Sequence, residues 1–192
     1  MLMFAGFVLF FGTHLMQVFP ALRASLIGAI GEIPYKIAYS VVALAGVVLI
    51  AQGYSAWRFE GSIALYSPPV WMRHIALLLM IPAFVLLVAS NTPSHIRTWV
   101  RHPMITAVKV WALAHLLANG DAAGVALFGA FLAWAVISRI SLKRRERAGG
   151  AVAAVEPRWS ADAIVVAIGL VLYALFVWKL HLWLIGVSPI AM

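Results

Sequence analysis

Apolar residues run almost unbroken along this chain, interrupted by charges, prolines and short turn signals. Cutting at those marks leaves six apolar segments, roughly 2–19, 36–57, 70–90, 103–119, 122–140 and 162–184. Each is close to the ~20 residues a helix needs to cross a hydrocarbon core. The pattern predicts an all-α fold, a polytopic integral membrane bundle of six transmembrane helices. Between the first two segments, Leu22, Leu26, Ile27 and Ile30 recur at helical spacing with Arg23 and Glu32 interleaved. That spacing fits either a short amphipathic helix at the interface or a packed connector. Pro68 and Pro69 stop helix and set the entry to the third span, and Pro82 inside that span is expected to kink it. Asn119-Gly120-Asp121 leaves almost no connector, so spans four and five form an antiparallel hairpin. Gly120 is expected to end one helix in the left-handed region, and Asp121 to cap the next. The small residues of 149–156 predict a flexible connector.

Charge sets the orientation. The first segment has no basic residue ahead of it and Arg23 after it, the reverse of a cleaved signal, so it is expected to stay as a helix with its amino terminus outside. Loops one, three and five hold Arg23, Lys36, Arg97, Arg101, Arg139, Lys143, Arg144, Arg145, Arg147 and Arg158, whereas loops two and four hold only Arg58 and Arg73. By the positive-inside rule the odd loops are cytoplasmic and both termini lie on the non-cytoplasmic side. The net charge of +8 is thereby explained by topology and anionic lipid, and no nucleic-acid partner is expected. With no cysteine, the chain has no disulfides, no iron–sulfur ligands and no thioether attachment for haem.

Two histidines fall inside apolar segments. An imidazole there must be satisfied by a protein group, a water cavity or a metal. Counted from the cytoplasmic ends of their spans, His14 lies about 8 Å deep and His115 about 18 Å deep at 1.5 Å per residue. Helical side chains lean toward their own amino terminus, so on oppositely running spans the two rings converge toward mid-membrane. Two opposed imidazoles at one depth would clamp a planar metallomacrocycle, as in a bis-histidine b-type haem. They serve equally well as hydrogen-bonding glue between helices. Phe7, Phe10, Phe11 and Val18 share the face of His14, and Val108, Trp111, Ala112 and Asn119 that of His115. Phe10, Phe11, Trp111 and Ala112 are therefore candidate cofactor walls. Arg101 and His102, opening span four ahead of Pro103, are placed either to bind an anion such as a propionate or to anchor the helix at the interface. His74 and His181 lie near the outer face, where they form a second site or serve as ordinary interfacial residues. Lys109 is expected to snorkel toward the cytoplasm, and His95 is assigned nothing.

The segments Gly12-Thr13-His14-Leu15, Arg73-His74 with the LLLMIPAFVLLVAS that follows, RHPMITAVKVWALAHLLANGD from Arg101 to Asp121, and HLWLIGVSP from His181 together resemble the NnrU family of membrane proteins. The resemblance covers nearly the whole chain and implies a single NnrU-like transmembrane domain, 1–192, in the bacterial cytoplasmic membrane. The family takes its name from nitrite and nitric oxide reduction. It is similar to the plant 15-cis-zeta-carotene isomerase, which implies haem b, a lipophilic polyene substrate and a cis–trans isomerisation. By motif match the haem-ligand histidines of that enzyme fall on His14 and His115, which would be the metal ligands and, for an isomerase, its catalytic groups. Two other readings stay open. Arg101-His102-Pro103 is similar to a motif of membrane methyltransferases that bind S-adenosylmethionine, and a reductase assembly factor would use its histidines for packing alone.

Overall fold

A computed structural model describes residues 1–150 and 156–190, and every regular element among them is helical. The helices are α1 Leu2–Leu15, α2 Pro20–Ile30, α3 Glu32–Phe59, α4 Val70–Ala89, α5 His95–Val100, α6 Pro103–Ala118, α7 Ala122–Arg147, α8 Trp159–Leu175 and α9 His181–Ile185. A 3₁₀ turn, Met16–Val18, follows α1, and a π turn, Phe176–Leu180, joins α8 to α9. Each predicted segment falls on a helix. The expected flexible connector lies for the most part outside the described residues.

Length divides the six. Four candidate spans are long and apolar enough to cross a membrane: Glu32–Phe59, Val70–Ala89, Ala122–Arg147 and Trp159–Ile185. Helix α1 has 14 residues and α6 has 16, about 21 and 24 Å at 1.5 Å per residue against a ~30 Å core. Both are cut short by local chemistry. After α1, Phe19 leaves helical geometry (φ −116°, ψ 73°) ahead of Pro20, because a residue before proline is pushed out of the α region. Pro20 then opens α2, whose axis is turned 91° from α1. Helix α6 is bounded by Pro103 at its first turn and by extended Asn119 (φ −126°, ψ 112°) at its end.

One turn expectation needs correction. Asp121 does cap α7, accepting the Gly124 N–H at 3.0 Å. Gly120, however, is absent from the positive-φ residues, which are Arg101 and glycines 31, 61, 149 and 186. It is glycine for another reason: a Cβ there would sit 1.9 Å from the Tyr66 carbonyl oxygen. Helix α4 runs as one element from Val70 to Ala89 with Pro82 inside it.

The helices alternate in direction. At one end loop 62–66 pairs with 119–123: Leu65 N–H donates to Gly120 O (2.8 Å), Ala122 N–H to Ile63 O (2.8 Å) and Ala123 N–H to Ser62 Oγ (2.9 Å). At the other end the start of α8 meets the loop before α5, where Arg158 N–H donates to Pro93 O (3.1 Å). Helix α1 packs chiefly on α3, α4 lies against α6 and α8, and α6 also lies against α7. The core where these sets meet holds Met3, Ile50, Ala112, Leu127 and Phe128. Outward faces are apolar as well, with Val8, Leu44, Leu78, Val171 and Trp178 exposed. That surface matches a lipid bilayer and not water, and the chain is a multi-pass membrane protein.

Candidate functional site

The bundle carries two groups of intramembrane rings. In the first, the His14 imidazole stacks on Phe10 at 4.0 Å, meets Trp134 edge-on at 5.6 Å and faces Tyr39 at 5.5 Å. Its Nδ1 lies 2.8 Å from the Phe10 carbonyl oxygen, one helical turn back. A carbonyl only accepts, so Nδ1 carries the proton and Nε2 keeps its lone pair. Phe11 packs on Trp134 at 6.2 Å. The indole nitrogen of Trp134 is buried with no hydrogen-bond partner among the described residues. Such an orphan donor costs about 1–3 kcal/mol.

The second group surrounds His115. Its Nδ1 donates to Trp111 O at 2.8 Å, the same backward bond that His14 makes, again leaving the lone pair on Nε2. The ring stacks on Phe128 at 4.6 Å and meets Trp111 at 5.2 Å. His181 is stacked near it, 6.3 Å away and 18° from parallel. His181 is fixed in the same tautomer by a different route. Gly186 turns the chain left-handed (φ 79°), so that the Val187 carbonyl comes back to accept from His181 Nδ1 at 2.6 Å. Tyr66 holds the end of α6 below this pair, donating to the carbonyls of Leu116 and Asn119, the latter at 2.9 Å. Burial pushes the Tyr66 phenol above its ordinary value, reinforced by the Asp121 carboxylate, so it remains a donor at neutral pH.

His14 and His115 were expected to meet at one depth. They touch α7 at Trp134 and Phe128, six residues and about 9 Å of rise apart. The rings of Phe10, Phe131 and Trp111 link the two sites, at 5.4 Å for Phe10–Phe131 and 5.3 Å for Trp111–Phe131. Ala112 is fully buried in the core beneath them. Helix α1 stops at Leu15, and the 3₁₀ turn Met16–Val18 carries the chain on to Phe19. His74 is exposed in the first turn of α4, and Lys109 is partly buried in α6.

Arg101 and His102 also have a partner that the sequence left unassigned. Glu146, near the end of α7, receives a hydrogen bond from His102 Nε2, Arg101 at 3.3 Å and Arg139 at 3.4 Å. Arg101 reaches it from a strained backbone with φ 61°. The carboxylate thus engages one nitrogen of each side chain considered for a propionate or for S-adenosylmethionine. Glu146→Gln is expected to release Arg101 and lower the melting temperature in detergent, while Glu156→Gln leaves it unchanged. Equal melting of both variants would show that the cluster holds nothing together. At the same end His95 pairs with Asp162 at 2.6 Å and stacks on Trp159 at 4.1 Å, locking α5 to α8.

Among the described residues no cluster of three or more His, Cys, Asp or Glu is arranged to hold a bare metal ion. Two cavities lie near the ends. One of about 530 Å³, between Val18, Pro20 and the basic end of α7 at Arg144 and Arg145, is far from His115. The other, of about 470 Å³, is an open groove lined by Lys179, Leu180, Leu182 and Trp183.

One comparison decides the family. The family model described as NnrU protein matches residues 2–189. The chain belongs to the NnrU family. No curated protein and no solved structure matches it, so the roles of individual residues in this NnrU protein rest on its own geometry.

Proposed function

We propose that this NnrU protein is a six-span haem b protein of the bacterial inner membrane, with both termini outside, acting in nitrite and nitric oxide metabolism. The alternating helix directions support six spans. So does the 3₁₀ turn after α1, which lengthens that short helix to about 27 Å. The observation that carries the haem reading is His115: an imidazole in an apolar helix whose Nδ1 is held by Trp111 and whose Nε2 is left as a donor. Backbone-fixed imidazole is how metal-ligating histidines are oriented. Trp111 and Phe128 supply the aromatic walls.

A haem bound there supplies a redox-active iron, suited to electron transfer or to binding small nitrogen oxides. His115 would fix its position, and the surrounding rings would exclude water. Isomerisation of a lipophilic polyene is the finer reading that the family resemblance adds. Protein purified from cells well supplied with haem is expected to carry about one haem b per chain. His115→Ala should reduce that content by about tenfold or more, the scale on which even outer-sphere changes act on metal affinity. Full haem content in His115→Ala, measured as the pyridine haemochrome, would contradict the assignment.

A further inference from the structure

We infer that the basic end of α7 holds a site for one anionic phospholipid, with the phosphate against Arg144 and Arg145 and an acyl chain along Ile140 and Ile137. The site shares no residue with the rings around His115, so it stands apart from the haem reading.

Depth comes first. Helix α7 has 26 residues, about 39 Å at 1.5 Å per residue, and so outruns a ~30 Å hydrocarbon core. Measured from Ala122, about 20 residues cross that core, which puts its edge near Ser141. Ile137 and Ile140, about half exposed, then lie just inside the hydrocarbon, and Arg144 and Arg145 stand about one turn beyond it. That is the level of the lipid phosphates.

Shape follows. Ile137, Ile140 and Arg144 recur at i, i+3 and i+7 and share one face of α7. Opposite them the chain changes direction by 91° between α1 and α2, and Val18 and Pro20 at that turn form the second wall of the groove of about 530 Å³. The groove is apolar toward the membrane interior and cationic at its mouth, the same order of polarity as a phospholipid. A free oxyanion would leave the isoleucine floor unused.

Charge decides the kind of lipid. Glu146, next to Arg145 in sequence, is already held by Arg101, His102 and Arg139. Among the described residues no ion pair includes Arg144 or Arg145. Arg23 of α2 is engaged elsewhere, lying over the Tyr35 ring at 5.8 Å. Two exposed guanidiniums without a carboxylate offer planar donor pairs that match phosphate oxygens. With Lys143 and Arg147 in the same turns, they favour a lipid of net negative charge over a zwitterionic one, whose ammonium they repel.

The test is a competition on the purified full-length chain in detergent, read by native mass spectrometry after addition of equimolar phosphatidylglycerol and phosphatidylcholine. The parent is expected to retain one phosphatidylglycerol in preference to phosphatidylcholine. Arg144→Gln/Arg145→Gln should lower that preference by about tenfold or more, the scale of two basic side chains at an anionic surface. Lys143→Gln/Arg147→Gln removes equal charge from residues that do not line the groove and should match the parent. Ile140→Trp fills the floor, keeps every charge and should shed both lipids, a second reading if the arginine variant does not fold. Equal losses in the two double variants, or no preference in the parent, would leave only diffuse attraction and overturn the site. Undiminished lipid on Ile140→Trp would overturn it too. Displacement of the lipid by millimolar inorganic phosphate would assign the groove to a free anion and overturn it as well.

Discussion

Replacing Gly53 with valine is expected to separate α1 from α3 and to remove most of the folded, monodisperse protein from a detergent extract. A Cβ at Gly53 would lie 2.1 Å from the Met3 backbone nitrogen and 2.7 Å from its Cα, atoms with nowhere to go because Met3 is 1% exposed. The same seam continues along the helix pair. A Cβ at Gly46 would meet Phe10 N at 2.7 Å, and one at Gly6 would meet Ile50 N at 2.6 Å. Gly46 and Gly53 are two turns apart on one face of α3, so backbone rests on backbone in the manner of small-residue interfaces in membranes. Ordinary overpacking costs about 1–3 kcal/mol, and here no side chain can rotate away, which puts the penalty at or above ~3 kcal/mol. Gly129→Ala is the control: no atom lies within 4 Å of a Cβ there, and alanine is the better helix former. Thermal melting followed by circular dichroism should show a large fall for Gly53→Val and none for Gly129→Ala. Equal melting of both would mean that α1 is not seated on α3 as described.

Gly120→Val is expected to have the second largest effect, by undoing the join between loops two and four. A Cβ at Gly120 would coincide with the Tyr66 carbonyl at 1.9 Å. The same glycine accepts from the N–H groups of Leu65 and Tyr66 through its own carbonyl, at 2.8 and 3.2 Å. Valine must push residues 62–66 away and break those bonds, freeing the Tyr66 hydroxyl from the end of α6, one turn beyond His115. Faster amide exchange at Leu65, Tyr66 and Ala122, together with a loss of haem affinity, is the expected pair of results. Unchanged exchange at those three amides would show that the loops pack without the pairing.

The helices were legible because length and hydropathy alone decide them, and because Pro20, Pro103 and Asp121 mark helix starts through properties of one residue. The common end of loops two and four was legible from their scarcity of lysine and arginine. What failed to show was anything that depends on where a helix stops or on its phase. Phe19 and Pro20 divert the chain after the 3₁₀ turn, a 91° change of direction between α1 and α2 that the sequence left open. His181 could be placed near the outer face, but no apolar periodicity reveals the π turn that precedes it or the Gly186 turn that fixes its tautomer. Gly120 was recognised as a special position and assigned the wrong reason, since a close approach from residue 66 leaves no mark in the local sequence. Glu146 and the orphaned Trp134 nitrogen were missed because their significance comes entirely from neighbours distant in the chain.

The central claim is that this bundle holds a haem on the His115 imidazole inside the membrane. The most direct measurement is a titration of haem-depleted, detergent-solubilised protein with haemin, followed by the reduced-minus-oxidised absorption spectrum. The account predicts saturation at about one haem per chain with the sharp bands of a six-coordinate b-type centre. Haemin that partitions into the detergent without saturating, and shows no such bands, would contradict it.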